Sequence, residues 1–112
     1  MLKKQYVKAR HVVKVTFTVP KTEMPEGVEV ETFHLVGDFN DWDPAATPMK
    51  RNKKGTFRAV VELVPEETYQ FRYLVNREHW CNEWHADGYI SNTLGADNCV
   101  VKASNENVVS DK

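Results

Sequence analysis

Two stretches of the chain set large aromatic side chains among hydrogen-bonding ones, and both are candidates for chemistry. The first is Gly37-Asp38-Phe39-Asn40-Asp41-Trp42-Asp43-Pro44, directly after the strand-like run Phe33-His34-Leu35-Val36. The second is Asn76-Arg77-Glu78-His79-Trp80-Cys81-Asn82-Glu83-Trp84. An indole in so polar a turn is displayed rather than packed. A flat apolar face rimmed by polar groups suits a pyranose ring, which offers C–H bonds on one face and hydroxyls around its edge. Other chemistries fit less well. Asp38, Asp41 and Asp43 would invite a glycosidase reading. Such enzymes set two carboxyls across the scissile bond, roughly 5 to 9.5 Å apart, with one buried to raise its pKa. Carboxylates crowded on one turn meet neither condition, so no catalytic residue is assigned, and these aspartates are expected to accept turn hydrogen bonds or sugar hydroxyls. His79, Cys81 and His85 carry ligand-type side chains, but no convincing fourth ligand accompanies them, so neither a metal nor a cofactor is assigned.

The elements that must position these residues are strands. Val13, Val15, Phe17 and Val19 alternate with polar residues until Pro20 stops the run. Phe33 and Leu35 mark a second strand, and Met49 a short edge strand. Asn52-Lys53-Lys54-Gly55 is a hairpin turn, after which Phe57, Ala59, Val61 and Leu63 alternate. Tyr69, Phe71, Tyr73 and Val75 give the strongest pattern, which turns Gln70, Arg72 and Leu74 to the opposite face. A weaker strand is expected near Trp80 and a last one through Cys99, Val100 and Val101. About seven short strands with turn signals between them predict an all-β, immunoglobulin-like sandwich.

The 112 residues carry 15 Lys plus Arg against 16 Asp plus Glu, a net charge of -1, which provides no field for nucleic acid. Lys3, Lys4, Lys8, Arg10 and Lys14 form a basic N-terminal arm expected to be solvated. Cys81 and Cys99 form no Cys-x-x-Cys pair, the first residues lack the apolar run of a signal peptide, and no stretch suits a membrane helix. A cytoplasmic protein with free thiols and no membrane partner is expected. One domain is predicted over residues 1–103, with a flexible polar tail at 104–112.

Three motifs, in order and at family-like spacing, carry a resemblance. They are Leu35-Val36-Gly37-Asp38-Phe39-Asn40-Asp41-Trp42, Tyr69-Gln70-Phe71-Arg72-Tyr73-Leu74-Val75 followed by Trp80, and Leu94-Gly95-Ala96-Asp97-Asn98. The stretch 30–101 resembles the isoamylase early-set or glycogen-binding domains, carbohydrate-binding module family 48. The glycogen-binding domain of the AMP-activated protein kinase beta subunit is one such domain, and small standalone bacterial members look most similar. The resemblance implies that Trp42 and Trp80 stack on glucose rings, that Asn98 hydrogen-bonds hydroxyls, and that Leu94 makes an apolar contact. A lysine of the family occupies the place of Arg72, so charge and donors persist while a point charge becomes a planar fork. Trp80 lies one residue further from Arg72 than in the kinase domain. Trp84 has no counterpart there and competes with Trp80 for the second stacking position. Ala96 stands where the kinase domain carries a hydroxyl.

Each residue also has a bland role. Trp42 could plug the sandwich end, Asn98 could cap a turn through its own backbone, and Arg72 could be a solvated strand residue in a surface ion pair. The expectation is a noncatalytic module for α-1,4-glucan: glycogen, maltooligosaccharide or cyclodextrin. The site would comprise Trp42, Arg72, Trp80, Leu94 and Asn98, with Trp84. The alternatives are a protein-interaction scaffold that has lost the sugar face, and an accessory subunit of a separately encoded glucan-metabolising enzyme.

Overall fold

The structure is a computed structural model and describes residues 1–92 and 95–104. Strands form where the two-residue alternation lets one face of the pleat be buried. Those of the described residues are β1 (Leu2–Val7), β2 (Val12–Val19), β3 (Phe33–Gly37), β4 (Lys50–Arg51), β5 (Phe57–Leu63), β6 (Thr68–Val75), β7 (His79–Cys81), β8 (Gly88–Ser91) and β9 (Asp97–Lys102). They build two antiparallel sheets, β1-β2-β5-β4 and β3-β6-β9-β8, with β7 added to β6. The fold is an all-β, immunoglobulin-like sandwich.

The core lies where the alternation placed it. Val13, Val15, Phe17 and Val19 of β2 face Phe71, Tyr73 and Val75 of β6, all of them buried. Phe17 meets Phe71 edge-on with ring centroids 5.1 Å apart, and Phe33 stacks on Phe57 at 5.2 Å. Tyr69 packs against the same cluster while partly exposed, and its hydroxyl accepts the Val64 amide at 3.0 Å. Cys81 and Cys99 are free, and burial pushes both thiols up to about 11. Glu83, nearly inaccessible, accepts the Tyr73 hydroxyl at 2.7 Å and the His85 amide at 2.9 Å, and lies 2.5 Å from the Met1 amino group. Burial and the adjacent Glu83 carboxylate hold the Tyr73 phenol well above its usual range.

Two strands exceed the sequence reading. The basic N-terminal segment is not a solvated arm over its first residues: β1 pairs along its whole length with residues 12–17 of β2. Leu2 and Tyr6 pack on the core, while Lys4 takes the inward register opposite Val15, where its ammonium meets Asp87 at 2.6 Å. A lysine at that inward position breaks the apolar alternation and hides the strand. The short β8 pairs β9 at the sheet edge. Of the tail, residues 105–112 lie outside the described residues.

For function, the key element is β6. β3 pairs one of its edges from Phe71 to Val75, while β9 pairs the other from Thr68 to Phe71 and β7 from Tyr73 to Val75. The outer side of β6 is therefore the centre of a broad face, with the β3 turn, β7 and the β8–β9 hairpin around it.

Candidate functional site

The turn after β3 is built to hold Trp42. Gly37 is needed there for space rather than for its φ: a Cβ would lie 2.6 Å from the Gln70 carbonyl oxygen and 2.8 Å from the Phe71 Cβ. Asn40 ties the turn back to β3, its side-chain oxygen accepting the Gly37 amide at 3.0 Å and its NH2 donating to the Leu35 carbonyl at 2.9 Å. Asp41 and Trp42 both adopt left-handed φ, 58° and 57°, and the Trp42 amide closes the turn on the Gly37 carbonyl at 2.9 Å. Left-handed backbone costs a bulky side chain free energy, so something other than local preference holds an indole here. The plug of the sandwich end is Phe39, whose ring lies 5.8 Å from that of Phe17 and 6.1 Å from that of Tyr69. Trp42 is half-buried, and its indole N–H donates to Asp38 Oδ1 at 2.8 Å. Asp38 Oδ2 accepts the Gln70 amide at 2.7 Å, which fixes the indole to β6.

Gln70, Arg72 and Leu74 face outward on β6. Leu74 pairs with Trp80, Arg72 with Val36, and Gln70 with Val100. Val36, Leu74 and Val100 are buried although they point away from the core, so this face carries an overlayer. The long side chains of the same parity that can supply it are Gln70, Arg72, Trp80 and Asn98. The Arg72 guanidinium lies over the Trp80 ring, 5.7 Å from its centroid, and its Nε donates to Asn82 Oδ1 at 2.8 Å. Asn82 in turn donates to the Asp97 carbonyl at 3.0 Å. Asn98 donates to Gln70 Oε1 at 3.0 Å and accepts from the Asn92 NH2 at 3.1 Å. A hydrogen-bonded path thus runs from Trp42 through Asp38 and Gln70 to Asn98, beside the Arg72–Trp80 pair.

Bland roles fall largely to neighbouring residues. Asn92 caps the β8–β9 turn through Ala96, and Asp43 accepts the Ala45 amide at 2.9 Å. Among the described residues, Asn98 uses one N–H and one lone pair, and Arg72 uses Nε–H, so a ligand would still find an amide donor and acceptor and the guanidinium NH2 groups. Trp80 is 44% exposed and presents apolar surface beside these groups.

Trp84 stands apart from this face. It is exposed beside Tyr89 and the loop 23–26 at the sandwich edge. Leu94 lies outside the described residues. Sequence reasoning did not single out Gln70 or Asn82 as parts of the site. Parity could have found both, since Gln70 shares the outward phase of Arg72, and Asn82 that of Trp80. No metal-type cluster of three His, Cys, Asp or Glu side chains occurs among the described residues.

The outer face of this β-sandwich thus carries the half-exposed Trp80 indole beside the Arg72 guanidinium and the Asn98 amide. The family model described as Carbohydrate-binding module 48 (Isoamylase N-terminal domain) matches residues 29–90, more than half of the 112-residue chain, and the chain belongs to that family. The matched stretch holds Trp42, Arg72, Trp80 and Trp84, while Asn98 lies beyond its end. No curated protein matches the chain.

Proposed function

We propose that this domain is a noncatalytic module that binds α-1,4-linked glucan of the glycogen or starch type. The observation that supports this most is the convergence of Trp80, Arg72 and Asn98 on the outer side of the β3-β6-β9-β8 sheet, with Trp42 tied to the same strand through Asp38. Covering one indole with a sugar ring removes about 80 Å² of apolar surface from water, which at about 25 cal/mol per Å² is roughly 2 kcal/mol for each stack. Arg72 and Asn98 exchange bonds to water for bonds to hydroxyls and add about 1 kcal/mol each. Ordering a flexible glucan takes part of this back, so the affinity is weak, between about 10 µM and 1 mM.

The carboxylate that holds Trp42 is already employed. Asp38 accepts the Trp42 indole and the Gln70 amide, which suits a positioning role rather than proton transfer. Binding is the whole mechanism. Retention of the purified protein on insoluble starch, with none on cellulose, is the expected outcome of a sedimentation assay. Passage through both would remove the glucan reading.

A further inference from the structure

Trp84 and Trp80 compete in the sequence for one role, but they occupy different places. Trp84 and Tyr89 are 61% and 49% exposed, and both line a recess of about 500 Å³ at the sandwich edge. The opposite wall is the loop Glu23-Met24-Pro25-Glu26, and Asn82 lies on the rim. Each group has a place there. The Tyr89 hydroxyl donates to the Glu83 carbonyl at 2.6 Å, which holds the phenol ring while leaving about half the residue in water. Glu23 lies 3.4 Å from His85 Nε2, and the Glu26 side chain is exposed. The recess therefore combines two aromatic surfaces, an apolar Met-Pro wall, the carboxylates of Glu23 and Glu26 with the buried Glu83 beside them, and an amide.

These groups match a neutral polyhydroxyl ligand. Aromatic rings and the Met-Pro wall take C–H faces, carboxylates accept hydroxyl protons strongly, and two acids on one wall disfavour an anion. Continuity decides which ligand. Asn82 both lines the recess and accepts Arg72 Nε–H, so the rim of the recess is the rim of the face that carries Trp80. Trp80 and Trp84 are four residues apart, at most roughly 14 Å of extended chain, a distance that a few linked sugar rings can cover.

We propose that the recess between Trp84, Tyr89 and the loop 23–26 is a second glucan subsite, which receives the continuation of a chain whose other end lies on Trp42 and Trp80. This rests on the glucan reading above. It assigns Trp84 and Tyr89 as the apolar walls of the subsite and Glu23 and Glu26 as hydroxyl acceptors. The consequence is a dependence on ligand length: a short oligosaccharide fills the outer face alone, and a longer one also reaches the recess.

The test is calorimetry of the whole protein with maltotriose and maltoheptaose, for the native chain and for Trp84→Ala, Glu23→Gln and Tyr89→Ala, each checked by thermal melting. Native protein should bind maltoheptaose at least fivefold more tightly than maltotriose. Trp84→Ala should remove most of that difference and leave maltotriose within about twofold. Glu23→Gln should weaken maltoheptaose alone by a smaller factor, and Tyr89→Ala, which removes the second wall, should reduce the length dependence as Trp84→Ala does. Unchanged maltoheptaose affinity in both Trp84→Ala and Glu23→Gln would overturn the subsite and leave the outer face standing. Equal loss of both sugars in Trp84→Ala would also overturn it, by placing Trp84 in the primary site or the fold. Absence of any binding by the native protein would remove the subsite together with the glucan reading.

Discussion

Replacing Trp42 by glycine and by alanine separates what the fold needs at this position from what a ligand needs. Trp42 sits at φ 57°, a conformation that costs a residue with a Cβ about 1 kcal/mol and costs glycine nothing comparable. Both substitutions remove the indole, its partial burial and its 2.8 Å bond to Asp38, but only glycine relieves the backbone. The glycine variant should therefore be more stable than the alanine variant by about 1 kcal/mol in a urea melt. Both should lose less than a core truncation does, because Phe39 rather than Trp42 closes the sandwich end against Phe17 and Tyr69. Binding should respond differently. Loss of one stack of roughly 2 kcal/mol corresponds to about thirtyfold in affinity, the same for both variants. β-Cyclodextrin titrations followed by calorimetry, alongside the melts, give the two quantities. A loss of stability in either variant as large as that of a buried phenylalanine truncation, with affinity within threefold of native, would instead make Trp42 a plug.

Phe71→Ala, which empties a fully buried position in contact with Phe17 and Tyr73, should cost roughly 3 to 5 kcal/mol in denaturant melts, and a loss under about 1 kcal/mol would mean that the register is wrong. Gly37→Ala should cost roughly 1 to 3 kcal/mol, because its methyl meets the Gln70 carbonyl and Phe71 Cβ at under 3 Å, and it should weaken glucan binding by shifting the turn that holds Trp42. His34 is buried with its Nδ1 unpartnered, and burial, then the charge of Arg77, lowers its pKa below 6.5. A depressed histidine pKa means that the unfolded chain takes up the proton first, so stability should be full above about pH 6.5 and fall as the pH drops toward the folded value. His34→Leu should flatten that acid slope in melts between pH 5 and 7, and an unchanged slope would assign the dependence elsewhere.

The strands with clean alternation were legible because their inward residues are all apolar: β2 and β6 lie where Val13 to Val19 and Tyr69 to Val75 predict. β1 was hidden by Lys4, a charged side chain at an inward position whose partner among the described residues is Asp87, 83 positions away. The site divides in the same way. The parity of β6 already turned Arg72 outward, and the displayed character of Trp80 followed from its polar surroundings. What local pattern could not supply was the wiring between elements: Asp38 to Gln70 and Gln70 to Asn98 are bonds between residues 32 and 28 positions apart. The separation of Trp84 from Trp80 depends on the bend after Asn82 and on the loop 23–26 meeting it, again a long-range contact.

If the outer side of β6 recognises α-linked glucan through its tryptophans, as we propose, the linkage of the sugar decides whether it binds. Calorimetry and tryptophan fluorescence with maltoheptaose, against cellohexaose as the flat β-linked control, test it most directly. The expected result is saturable heat and a fluorescence change with maltoheptaose at a Kd between about 10 µM and 1 mM, and little response to cellohexaose. Silence at millimolar maltoheptaose, or equal binding of the two sugars, would contradict it.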